Sequence, residues 1–272
     1  MIETIAFLLL LIFLFAIFLI NKEAVFFIVL ANIIFFITEL IIQNSIYYFS
    51  YYTSSPLSYG LLTGIFTHYN FIHIFLNMIV LLLVGFPLES RIGTRRFLLI
   101  YLITGIISEI IFSLVNYGQN IILLGASGSI FGVMGALLRL YPNDEIPMFL
   151  GFIFLPKIKV KYAVFFAALI EFIAIFLSYE NNVAHLVHIS ALIVGMLIAP
   201  LFIGLKFKSI ENLPGAAENK KLLEEIKKEK IWELKYILLE EYLKKNCKEY
   251  EIKRNYIICN GKKYRLLRLE TE

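Results

Sequence analysis

A serine, three histidines and an asparagine lie within apolar stretches of this chain, in an order that could do covalent chemistry on a carbonyl. Ser127 stands in the run Gly125-Ala126-Ser127-Gly128-Ser129-Ile130-Phe131-Gly132, His73 and Asn77 share one apolar segment, and His185 and His188 open another. An imidazole inside hydrocarbon is costly, so each such histidine implies a function. A hydroxyl and an imidazole at one depth are the minimum for nucleophilic catalysis, the ring taking the proton while the oxygen attacks. His73 and Asn77 are four residues apart, so both project from the same helix face. Two neutral donors near a serine suit the stabilisation of an oxyanion. Ser127 begins its helix, and its backbone N–H, which has no intrahelical partner, is a natural third donor. Taken singly, each group also has a packing reading: Ser and Asn are common glue between membrane helices, and Gly132 and Gly135 are assigned to helix contact. Glu39, Glu109 and Glu171 read as neutral or hydrogen-bonded structural carboxylates. The combination points to catalysis.

The depth of these groups follows from the rise of a helix. Ser127 precedes Arg139 by twelve residues and Asn77 precedes Glu89 by twelve, so both sit roughly 18 Å above the inner edge, with His73 at about 24 Å. His188, eighteen residues before Lys206, comes out at roughly 27 Å on a straight vertical helix. Tilt, or an early end near Pro200, brings it to the same layer.

The elements that must carry these residues are membrane spans. Hydrophobic residues make up 60% of the 272 and mean hydropathy is +0.79, which places the chain outside the globular range. Seven segments approach the length needed to cross about 30 Å of hydrocarbon: 4–20, 24–42, 68–87, 97–115, 125–140, 162–179 and 184–205. The first has no preceding Lys or Arg and no small-x-small site after it, so it reads as a retained span rather than a cleaved leader. Segment 146–155 is apolar but short, and is expected at the interface. Lys22, Arg91, Arg95, Arg96, Arg139, Lys157, Lys159, Lys161 and Lys206 fall at alternate span ends, while loops 43–67, 116–124 and 180–183 carry no Lys or Arg. The positive-inside rule then puts the N-terminus outside and the C-terminal tail in the cytoplasm of a multi-pass cell-membrane protein. Loop 43–67, with Tyr47, Tyr48, Tyr51, Tyr52 and Tyr59, is expected half-sunk at the outer surface.

The tail differs in composition. Residues 206–272 hold seventeen Lys/Arg and twelve Asp/Glu, against eight and nine before them. A charged helix is expected from Ala216 to about Lys245, then a hairpin turning at Asn260-Gly261. Cys247 and Cys259 are both in the tail, and a cytoplasmic setting predicts free thiols. No long basic run or aromatic platform is present, which excludes nucleic acid as a partner. The predicted fold class is all-α: a polytopic membrane helix bundle with a small cytoplasmic helix-plus-hairpin tail. Its parts are an extra N-terminal helix (1–23), a membrane core (24–205) and the tail (206–272).

Four motifs carry a resemblance. His68-x4-His73-x3-Asn77, Glu89-Ser90-Arg91-Ile92-Gly93, Gly125-x-Ser127-Gly128 and His188-x-x-Ala191-x-x-x-Gly195 occur in this order, and across 24–205 the chain resembles the rhomboid intramembrane serine proteases. The resemblance implies a six-helix core, a Ser/His dyad without a carboxylate, and cleavage of transmembrane protein substrates near the outer face of the bilayer, without metal or cofactor. It makes Ser127 the nucleophile and His188 the general base, with His73, Asn77 and the Ser127 N–H as the oxyanion hole. Phe131 occupies the position whose ring packs on the catalytic imidazole. The chain departs from the family in lacking the Trp-Arg pair before the second helix and in having Ala191 where Gly is usual. The alternatives are a non-proteolytic protein of the same fold that binds membrane clients, and a proton-coupled transporter; the first is disfavoured by the presence of both serine and histidine, the second by the absence of an internal repeat.

Overall fold

The computed structural model describes residues 10, 12–13, 15–16, 19, 23–150, 153–177, 183–203, 208–209, 213–228, 232–253 and 256–265. Chain contacts divide it into two units, Met1–Ile203 and Gly204–Glu272.

Among the described residues, the first unit is built on six long helices: α1 (Ala24–Ile41), α2 (Phe71–Ile92), α3 (Thr94–Val115), α4 (Ser127–Leu140), α5 (Val160–Leu177) and α6 (Val183–Ile203). Among the described residues, four stretches are long and apolar enough to cross a membrane: Ala24–Ile41, Phe71–Ile92, Thr94–Val115 and His185–Phe202. Their outward faces present large apolar side chains such as Leu40, Leu76, Leu197 and Leu201, the surface expected where hydrocarbon replaces water. The chain is a multi-pass helical membrane bundle. The expected span 4–20 lies for the most part outside the described residues; within it, Leu10 and Phe13 pack against the core.

The sequence explains the helix ends. Asn70 caps α2, its side chain accepting from the His73 N–H at 2.8 Å, and Gly93, at φ 83°, closes it. Glu89 sits near that end with its carboxylate accepting the backbone N–H groups of Ala24 (2.5 Å) and Val25 (2.9 Å). A carboxylate at a helix N-terminus satisfies two open donors and complements the helix dipole. Two turn residues of the second motif therefore have structural work: Glu89 starts α1 and Gly93 admits the backbone reversal into α3. Neither Pro87 nor Pro200 ends its helix; α2 runs on to Ile92 and α6 to Ile203. The early end near Pro200 is thus corrected.

α4 packs against α2, α3, α5 and α6. Its closeness to α6 rests on absent side chains. A Cβ on Gly135 would fall on the Leu192 carbonyl, one on Gly195 on the Gly132 carbonyl, and one on Gly132 on the Thr104 side chain. These are the small-residue contacts by which membrane helices approach.

Two loops depart from expectation. Segment 145–159 is an antiparallel hairpin of β3 (Glu145–Leu150) and β4 (Ile153–Lys159), with a register shift between Ile146 and Met148. Its base is tied by Val160 N–H to Asp144 O (2.9 Å) and Lys161 N–H to Pro142 O (3.0 Å). Asp144 is in turn ion-paired to Arg91 at 2.5 Å. In loop 43–67, Tyr47 and Tyr48 are exposed but Tyr51 is fully buried, its hydroxyl 2.6 Å from Ser113 Oγ. The cause is a two-residue ladder: β1 (Tyr51–Tyr52) pairs with β2 (Ile122–Leu123) just ahead of α4.

The second unit contains α7 (Lys220–Lys228), α8 (Trp232–Asn246) and a four-stranded sheet in the order β5 (Lys208–Ser209), β8 (Lys262–Arg265), β7 (Tyr256–Cys259), β6 (Tyr250–Lys253). The single helix and lone hairpin read from the sequence become two helices and a sheet, on a core that includes Ile226, Leu239, Tyr242, Leu243 and Ile257. The Asn260-Gly261 turn is present, with φ 49° and 73°, the two positive values a type I′ turn needs. Cys247 and Cys259 form a disulfide with Cα atoms 5.6 Å apart, a correction to the free thiols expected. β6 returns antiparallel beside β7, with Tyr250 opposite Cys259. That pairing brings the end of α8 to the end of β7, a proximity that sequence spacing does not reveal.

Candidate active site

Ser127 is the first residue of α4. The approach to it turns on Gly125, at φ 115°, a value that disfavours any side chain. Gly125 N–H is held by Gly64 O at 2.8 Å, fixing the entry strand against the loop before α2. A Cβ at Gly125 would lie 2.9 Å from both Cε1 and Nε2 of His73 and 3.8 Å from Ser127 Oγ. The glycine therefore leaves open the space between the His73 ring and the serine hydroxyl. The His73 ring is half-buried; its Nδ1 lies 3.5 Å from the Tyr69 N–H, an acceptor role that leaves the proton on Nε2, the atom facing Gly125.

His188 lies on α6, near its start. Its ring stacks on Phe131, one turn after Ser127, at 4.4 Å between centroids and 5° between planes. The glycine contacts between α4 and α6 make this approach possible. Helix α4 has 14 residues and is about 21 Å long, short of a core of about 30 Å.

Asn77 is buried one turn along α2 from His73, and its Nδ2 donates to His73 O at 3.0 Å. A carboxamide carries two N–H groups, so the second is not used by this bond. Gly125 thus adjoins both the His73 ring and Ser127, and His188 lies against Phe131, one turn along α4 from Ser127. Among the described residues no hydrogen bond joins one side chain of Ser127, His73, Asn77 and His188 to another, and His188 Nε2 has no hydrogen-bond partner. In a substrate-free site catalytic bonds are often long and tighten only with substrate.

Two further residues enter the site. His68 is buried, its Nε2 3.5 Å from the Ala126 N–H and its ring 4.9 Å from that of His73. It braces the backbone immediately before Ser127, and its place in the first motif was the available signal. Glu171, on α5, was read from the sequence as a structural carboxylate. Its Oε2 lies 2.6 Å from His185 Nδ1 and 3.1 Å from His188 Nδ1. Ten residues after Lys161, it comes out at roughly 15 Å by helix rise, near the level of Ser127; the arithmetic could have found it. The donor atoms of Glu171, His185 and His188 lie within 4.8 Å of one another, and two imidazoles with a carboxylate are a set that could hold zinc.

With this geometry in place, the resemblances of the chain are specific. The rhomboid domain family matches residues 57–205, more than half of the chain. Rhomboid protease GluP of Bacillus subtilis (strain 168) is 46% identical over 81 residues, 29% of this chain and 15% of that protein. Presenilin-associated rhomboid-like protein A, mitochondrial, of Danio rerio is 33% identical over 115 residues, 40% of this chain and 29% of that one. Putative rhomboid protease YdcA of Bacillus subtilis (strain 168) is 38% identical over 88 residues, 32% of this chain and 44% of that one. In each case the chain spans less than half the length of its relative. The matched region contains all four motifs, and the chain belongs to the rhomboid family.

Proposed function

We propose that this chain is an intramembrane serine endopeptidase that cleaves transmembrane proteins near the outer face of the bilayer. The observation that carries the proposal is the seating of the His188 ring on Phe131, one helical turn from Ser127. Ser127 Oγ attacks the scissile carbonyl carbon as its proton passes to His188 Nε2. The carbonyl oxygen becomes an oxyanion, met by His73 Nε2–H, the free Asn77 N–H and the Ser127 backbone N–H. Collapse of the tetrahedral intermediate breaks the C–N bond, and His188 returns the proton to the leaving amine. Water then hydrolyses the acyl-enzyme by the same steps. Attack on a backbone carbonyl needs a locally unwound substrate helix, so segments with Gly or Pro near the outer interface are preferred.

In this reading the core (24–205) carries the chemistry, segment 1–23 adds a span with the N-terminus outside, and 206–272 is a cytoplasmic accessory piece. The test is reconstitution in lipid with a helical transmembrane substrate, comparing wild type with Ser127→Ala. Cleavage by wild type alone is expected; equal cleavage by both ends the protease reading and leaves the client-binding one.

A further inference from the structure

The three charged or imidazole side chains that meet between α5 and α6 do not form a simple pair. Glu171 Oε2 contacts two imidazoles, His185 Nδ1 at 2.6 Å and His188 Nδ1 at 3.1 Å. All three side chains are largely buried, at 13% exposure for Glu171, 23% for His185 and 12% for His188. We infer that Glu171 is a positioning residue for His188, so that this chain runs its chemistry on a Ser127–His188–Glu171 relay rather than on a dyad. The inference rests on the protease reading above.

The chemistry follows from the atoms. An ionised carboxylate only accepts hydrogen bonds. Its neighbour Nδ1 must therefore carry the proton, which leaves Nε2 of His188 with the lone pair a general base needs. The ring is already fixed in plane by Phe131 on one face, at 5°; the carboxylate 3.1 Å from Nδ1 favours the rotation that keeps Nδ1 toward it. When Ser127 gives up its proton the imidazole becomes a cation in a low-dielectric site. A carboxylate 3.1 Å away stabilises that charge far more than water would. No proton moves to Glu171: it passes from Ser127 Oγ to His188 Nε2 and on to the leaving amine. The His188 contact lacks hydrogen-bond alignment in the free protein, while His185 holds the carboxylate by a true hydrogen bond. His185 thus anchors Glu171, and Glu171 anchors His188.

Glu171→Gln keeps the size of the side chain but adds a donor, which permits the wrong tautomer of His188. It is expected to lower kcat on a helical transmembrane substrate by roughly ten- to a thousandfold with KM unchanged, and to slow fluorophosphonate labelling of Ser127 by a similar factor. Glu171→Asp, with the carboxylate drawn back one methylene, is expected between wild type and Glu171→Gln. In a His188→Ala background Glu171→Gln should change residual labelling no further. Wild-type kcat in Glu171→Gln overturns the inference, as does a loss confined to KM. Activity removed by EDTA and restored by zinc also overturns it, because the cluster would then be a metal site. Should Glu171→Gln fail to fold, Glu171→Asp decides: an unchanged kcat overturns the inference and a fall at constant KM supports it. If wild type and Ser127→Ala are equally inactive, the protease reading itself has failed; if only Ser127→Ala is inactive and Glu171→Gln matches wild type, this inference alone has failed.

Discussion

His185 and His188 are three residues apart and touch the same carboxylate oxygen, yet only His188 rests on the helix of Ser127. A general base must reach the serine oxygen at about 2.6–3.2 Å, which favours the ring seated on Phe131. His188→Ala is therefore expected to abolish cleavage and serine labelling, a loss of roughly a thousandfold or more. His185→Ala should retain activity within about tenfold of wild type, since it loosens the anchor of Glu171 without removing the base. Parallel turnover and labelling measurements on the two variants decide it, and the reverse ranking would move the base one turn outward. The nucleophile, base and oxyanion candidates were legible in the sequence because each sits in a short motif whose spacing reflects helix geometry. Of Glu171 only the depth was legible, for a single acid in an apolar run has no local partner; its partners come from another helix.

The central contact among the helices is backbone against backbone. Gly195 lies where any Cβ would overlap the Gly132 carbonyl, and Gly135 where it would overlap the Leu192 carbonyl. Gly195→Val must push α6 away from α4, and with it the His188 ring from Phe131. Overpacking of this kind typically costs about 1–3 kcal/mol, so a lowered thermal midpoint in detergent and loss of cleavage are expected together. A variant with wild-type midpoint and turnover would show that the two helices do not depend on this contact. Helix α4 and the small residues along it were readable from the sequence. The hairpin at 145–159 was not, because its apolar run shows no alternation; pairing, and the anchoring of its base through Asp144 and Arg91, define it. At Asn260-Gly261 the reverse holds, since two residues that tolerate positive φ specify a turn without help from elsewhere.

The whole molecule consists of a membrane unit and a compact charged unit, each with its own buried core. Every residue assigned a part in the chemistry precedes Gly204, so deletion of 216–272 is expected to leave cleavage of a helical transmembrane substrate within about threefold of wild type. A well-folded truncation without activity would place the tail in the catalytic machinery. Hydrophobic length made the membrane unit legible, since bilayer thickness fixes how long a span must be. The sheet order of the tail and its Cys247–Cys259 link were not, because both depend on which strands meet, and charged sequences with weak periodicity do not say. A disulfide and a cytoplasmic tail also oppose each other chemically, so the redox state of that pair reports on which side the tail resides.

Glu89 follows by 65 residues the amide of Ala24 that it caps. At about 5–20 residues per second, the ribosome finishes Ala24 roughly 3–13 s before this carboxylate exists. Through that interval the first turn of α1 lacks the carboxylate that caps it. The first helix of the core to be synthesised is thus completed by the last turn of the second, and the order of birth along the chain is not the order in which its elements become finished.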